Sequence, residues 1–75
     1  MIKKEEIDKT LEWLKSKKCD YPLININYIE FDLRHCTVKT DDSFITVLFE
    51  NTHIPLAYIF YEEITYLNST CSYKK

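Results

Sequence analysis

Seventy-five residues, 45% hydrophobic, 15% aromatic and 29% charged, describe one globular domain with no room for a second core. The formal net charge is −2 and the chain contains no glycine, where average usage would supply about five. Without glycine there is no phosphate-cradling loop and no nucleophile elbow, so with this length the composition points away from an enzyme.

The first predicted element is a helix over residues 3–18. Ile7, Leu11 and Leu14 form an apolar stripe at helical spacing, the pattern of an amphipathic helix docked on a core. Glu5 and Glu6 fall in the first turn and Lys15, Lys17 and Lys18 in the last, which complements the helix dipole. Those three lysines are the candidate basic contacts. Trp13 lies off the stripe, so it either packs within the molecule or projects toward a partner.

From Tyr21 onward, β-branched and aromatic residues take over. Ile24, Ile26 and Tyr28 alternate with asparagines; then Ile29, Phe31 and Leu33 alternate with charged residues, so the apolar phase flips between positions 28 and 29. A flip of that kind requires a bend in one strand or a junction between two short ones. In the absence of glycine, Asn27, Asp41, Asp42 and Asn51 are the residues expected to turn the chain, because Asn and Asp tolerate left-handed backbone best.

Cys36 and Val38 continue the strand pattern up to a turn at Thr40–Ser43; Phe44–Phe49 is apolar on both faces and reads as a central strand. Asn51-Thr52-His53 is the next turn, and Pro55 is expected at a strand start or on an edge. Leu56–Leu67 carries both strand and helix signals. Its aromatic and β-branched residues favour strands broken at Glu62-Glu63; the alternative is a C-terminal helix and an α-β-β-β-α order. Residues 68–75 read as a polar tail. The expected organisation is a single domain over 1–75: helix 3–18, β body 21–67, tail 68–75.

Cys19, Cys36 and Cys71 are an odd, widely spaced set without a CxxC, which signals neither a disulfide framework nor a zinc site; reduced thiols are expected. With no signal-like segment and no apolar run approaching the ~20 residues of a membrane span, the expected location is cytoplasmic, with no membrane partner. Charge is unevenly distributed: residues 1–18 carry +2, residues 19–70 carry −6, and Lys74-Lys75 add +2. So acidic a body repels a phosphate backbone, leaving the helix or the tail to meet any nucleic acid.

One helix followed by about five short, bent strands resembles the Sm fold of the bacterial RNA chaperone Hfq family. Asp42-Ser43-Phe44-Ile45-Thr46-Val47-Leu48-Phe49 is similar to that family's D-N-F-x-V-L-L run, with one residue more before the Val-Leu pair. Ile59-Phe60-Tyr61-Glu62-Glu63-Ile64-Thr65 can be laid over its I-Y-K-H-A-I-S segment. The likeness would span residues 7–67 and implies an Sm-like or SH3-like small barrel, self-association and RNA binding. The family's strand-bending glycines are missing, and Tyr61 and Glu62 replace its RNA-contacting Lys-His pair. Phe60, at the aromatic position, remains able to stack on a base.

No catalytic or metal-binding constellation is legible. Asp41-Asp42 and Glu62-Glu63 are adjacent in sequence, and strand neighbours face apart. His35-Cys36 fails as a thiolate–base pair for the same reason, and the nearby Glu30, Asp32 and Asp41 would raise the thiol pKa. Eleven aromatic residues exceed what so small a core can bury, which leaves an exposed binding face. Tyr58, Phe60 and Tyr61 are its candidates, with Trp13. The expected function is that of a non-enzymatic binding or regulatory protein of Sm-like architecture, either RNA-binding or an acidic inhibitor occupying another protein's surface. No cofactor or small-molecule substrate is expected; the expected partner is a protein or a second copy.

Overall fold

The computed structural model describes residues 2–75. Helix α1, Lys4–Ser16, buries Ile7 and Leu14 and half-buries Leu11, the stripe expected from spacing. Its C-terminus is closed by Lys18 at φ 51°, a left-handed position that glycine usually occupies. The Lys17 and Lys18 amides donate to the Trp13 and Lys15 carbonyls.

Strands β1 (Tyr21–Ile26), β2 (Ile29–Asp32), β3 (Cys36–Thr40), β4 (Phe44–Phe49) and β5 (Pro55–Phe60) follow, then a 3₁₀ turn at Tyr61–Glu63 and strand β6 (Leu67–Ser72). They form two antiparallel three-stranded sheets, ordered β2-β1-β6 and β3-β4-β5, which do not join into a closed barrel. The fold is therefore α+β: one N-terminal helix and two small sheets. Ile7, Ile24, Ile26, Ile45, Tyr61 and Ile64 form the core between them, drawn from the helix, both sheets and the segment after β5.

The phase flip at Tyr28 and Ile29 is a chain reversal. Asn27 (φ 53°) and Tyr28 (φ 69°) are both left-handed and form a two-residue hairpin between Ile26 and Ile29, the geometry that matches the twist of paired strands. Reversing direction puts Phe31 beside Ile24, and Ile29 beside Ile26, on the same face. Asn27 plays its expected part. The other left-handed residues are Lys18, Tyr28 and Glu50, rather than Asp41, Asp42 or Asn51. At the β4–β5 turn, Glu50 is held by its amide donating to the His35 carbonyl and by its carbonyl accepting from Thr37 Oγ1.

Three expectations are corrected. Residues 56–67 do not form a C-terminal helix: Pro55–Phe60 is a strand, only one 3₁₀ turn follows, and the chain ends in β6, which excludes the α-β-β-β-α alternative. Residues 68–72 are not a tail, because β6 pairs with β1 from Tyr21↔Ser72 to Ile26↔Leu67. Its inward positions are Leu67, Ser69 and Cys71, too small and polar to read as a buried face. Finally, Cys19 and Cys71 form a disulfide with Cα atoms 5.4 Å apart, across a sequence separation of 52. The β1–β6 ladder places Cys71 opposite Pro22, and the Asp20 amide on the Ser72 carbonyl extends the pairing to the chain segment holding Cys19. Cys36 is free and buried.

Candidate binding surface

Strand alternation divides the β3-β4-β5 sheet into an inner face, with Ile45 and Val47, and an outer one. Register puts Phe44 beside Phe60 and Thr46 beside Tyr58 on the outer face. Along β5, Leu56, Tyr58 and Phe60 are 55%, 61% and 46% exposed, a stripe at strand period. Phe44 braces it: its ring lies 6.1 Å from Tyr58, edge to face, and 5.8 Å from Phe60. β5 is also an edge strand, so a row of backbone groups beside the stripe is free to pair. The nearest cation by register is Lys39, paired with Thr46; the surface is otherwise uncharged along β4 and β5.

The other expected site residues are dispersed. Tyr61 is 7% exposed and its hydroxyl donates to the Asp41 carbonyl at 2.6 Å, so it is core and cannot belong to the β5 stripe. Burial raises its hydroxyl pKa, with the carboxylates of Asp8, Asp41 and Asp42 adding to the shift. Strand alternation explains this: with Tyr58 and Phe60 outward, the next residue falls on the inner side, where the 3₁₀ turn begins. Trp13 is 44% exposed on α1, with Lys17 Nζ 5.8 Å from its ring centroid, an exposed cation–π contact.

Lys15 and Lys18 rim a groove of about 580 Å³ between α1 and β3, with Asp8 and Glu12 farther along the helix. Leu11, Leu14, Leu33 and Val38 make its floor apolar. Lys17 does not line the groove, so the three candidate lysines do not converge on one site.

The chemistry of the remaining groups is quiet. Cys36 donates its thiol hydrogen to the Asp32 carbonyl at 3.2 Å, and burial, followed by the Asp32 charge, raises its pKa; the neighbouring His35 is exposed. A protonated thiol in that setting is a poor nucleophile. Asp42 meets Lys4 at 3.9 Å at the surface, an exposed pair of little energetic weight. Among the described residues no three His, Cys, Asp or Glu side chains are grouped to hold a metal ion, and no helix is long and apolar enough to cross a membrane.

Two features of the β2-β1-β6 sheet were not anticipated from sequence. Arg34 folds back over Tyr21, its guanidinium carbon 4.6 Å from the ring centroid, while Nε and Nη2 donate to the Asp32 carboxylate at 3.0 and 2.6 Å. That fork holds the Asp32 pKa down at about 2. At the other end of the sheet, Tyr28 stacks on Tyr66 with centroids 4.3 Å apart and planes 13° from parallel. The only sequence signal for the first was the short spacing Asp32-x-Arg34; none announced the second, which joins residues 38 positions apart.

Against protein-family models, curated proteins and solved structures, the chain shows no significant match.

Proposed function

We propose that the chain is a non-enzymatic binding protein of Sm-like architecture that assembles with further copies of itself through strand β5. The observation that carries this reading is the exposed Leu56–Tyr58–Phe60 stripe on an open sheet edge. Pairing edge to edge satisfies the free backbone groups and covers the stripe in the same step, without bringing like charges together. The Sm-like part is supported by strand order: β2 and β3 are separated only by residues 33–35, so one bent segment links the β6-β1-β2 sheet to the β3-β4-β5 sheet. Sedimentation of the intact protein tests the proposal. A discrete oligomer that Phe60→Glu converts to a folded monomer supports it; a wild-type monomer at about 100 μM overturns it, since an interface that weak falls outside the affinities of stable assemblies.

Two other readings have specific observations behind them. The −6 charge of residues 19–70 favours an acidic inhibitor that docks on a basic partner protein. For RNA, Phe60 is exposed for stacking, but Tyr61 is buried and Glu62 is acidic where the Hfq family has its Lys-His pair. Micromolar, salt-sensitive binding of A-rich or U-rich oligonucleotides, weakened by Phe60→Ala, would favour RNA. Indifference to RNA at low salt leaves the protein-binding readings.

A further inference from the structure

The outer face of the β2-β1-β6 sheet carries one pair of groups twice, and only one of the two is filled. At one end an aromatic ring, Tyr21, and a carboxylate, Asp32, together hold a guanidinium, that of Arg34, stacked on the ring and forked onto the carboxylate. At the hairpin end stand another ring and carboxylate, Tyr28 and Glu30. Glu30 faces Asn25 across the β1–β2 ladder, and Asn68 faces Asn25 from the other side. Leu67 packs on the core, so its neighbours Tyr66 and Asn68 face outward, which places the Tyr28–Tyr66 stack on the same side of the sheet as Glu30.

Four properties of this second end point to a ligand. Tyr28 is 76% exposed, yet it is fixed in place by the left-handed turn and by the stack on Tyr66. Between Asn25, Glu30, Asn68 and Thr70 lies a dimple of about 70 Å³. Asn25 lines it, and the Asn25 side-chain oxygen, buried beneath the surface, has no hydrogen-bond donor, a condition that is unfavourable unless something donates to it. Among the described residues Glu30 makes no ion pair, and no lysine or arginine lines the dimple.

A ring face, a carboxylate and a bare amide oxygen call for a flat cation with several N–H donors. Arginine has that shape; it stacks on aromatic faces and donates a fork of hydrogen bonds, which the ammonium of lysine cannot do. We propose that Tyr28, Glu30 and Asn25 form a docking site for an arginine side chain of a basic partner polypeptide. A second copy cannot supply it, because the one arginine of the chain is Arg34, already held by Asp32. An anionic nucleic acid is excluded by the acceptors that line the site. The site lies on the sheet opposite to the β5 edge in the strand order and stands or falls independently of self-assembly.

The test is an NMR titration of the isotope-labelled full chain with an acetylated, amidated peptide of four Gly-Arg repeats, run beside its Gly-Lys counterpart. Shift changes should concentrate on Asn25, Tyr28, Glu30 and Asn68, and the arginine peptide should bind about tenfold tighter than the lysine one. Glu30→Gln, an exposed isosteric change that leaves the hairpin intact, should weaken arginine binding about tenfold, as should Tyr28→Ala. Equal affinity for the two peptides, shifts centred on other acidic groups such as Asp41 and Asp42, unchanged affinity in Glu30→Gln, or no binding at millimolar peptide in low salt would each overturn the proposal.

Discussion

Asn27 is the residue on which this glycine-free chain most depends, and replacing it separates two contributions. Its backbone is left-handed at φ 53°, and its amide donates to the Tyr66 carbonyl. Its side-chain Nδ2 donates to the Glu63 carbonyl at 2.9 Å, while Oδ1 accepts from the Thr65 amide at 2.8 Å and the Tyr66 amide at 3.2 Å. One side chain thus ties the β1–β2 hairpin to the segment between the 3₁₀ turn and β6. Asn27→Gly keeps the conformational freedom and loses four side-chain bonds, that from the Thr65 hydroxyl to Oδ1 included, each worth about 0.5–1.5 kcal/mol net; with Thr65 exposed, the lower end of that range applies, about 2 kcal/mol in all. Asn27→Ala loses the same bonds and adds about 1 kcal/mol for a Cβ in left-handed backbone, about 3 kcal/mol. A chain of this length is expected to be stable by about 4–11 kcal/mol, so either loss is a large fraction. Urea unfolding with a slope near 1 kcal/mol/M should show midpoints lower by about 2 M and 3 M, respectively. Alanine tolerated better than glycine, or both changes below about 0.5 kcal/mol, would refute this account of the hairpin.

Four further outcomes are expected. Cys19→Ser/Cys71→Ser should unfold about 4 kcal/mol more easily than the oxidised protein, from closure of a loop with a separation of 52 residues; a difference under about 1 kcal/mol would show that the bond constrains little. Thiol titration of protein isolated from its native source separates compartments: one free thiol, that of Cys36, indicates an oxidising environment, and three indicate the cytosol. Carboxyl NMR should place the Asp32 midpoint at about 2, and Arg34→Gln should return it toward 3.8. Because the folded-state value is the lower one, the Asp32–Arg34 contribution to stability is complete above about pH 4 and is lost as pH falls toward 2; a midpoint already near 3.8 in the wild type would contradict the fork. Iodoacetamide should modify folded Cys36 at least about ten times more slowly than the urea-unfolded chain, and equal rates would contradict its burial.

What was legible in the sequence follows from where periodicity had strong residues to act on. The α1 stripe of Ile7, Leu11 and Leu14, the central position of Phe44–Phe49 and the break at Tyr28 came from apolar residues at helix or strand spacing, and Pro55 at a strand start from its missing N–H. β6 escaped because strand pairing tolerates Ser69 and Cys71 at inward positions when β1 supplies Ile24 and Pro22 opposite them. The disulfide escaped because spacing along a chain says nothing about which residues a ladder will align. Of the expected face, Tyr58 and Phe60 lie on one exposed stripe, whereas Tyr61, one residue on from Phe60, falls on the opposite, inner side and joins the core. Tyr28 and Tyr66 form a stacked pair that only the tertiary structure creates, through a turn in which an aromatic residue takes a backbone conformation usually left to glycine.

The central claim, assembly through the β5 edge and its Leu56–Tyr58–Phe60 stripe, is tested most directly by sedimentation velocity on the wild type and on Phe60→Glu, with circular dichroism to verify the fold of both. The expected result is a discrete oligomer for the wild type and a folded monomer for Phe60→Glu. A wild type that sediments as a monomer at about 100 μM, or an oligomer that Phe60→Glu leaves intact, would contradict it.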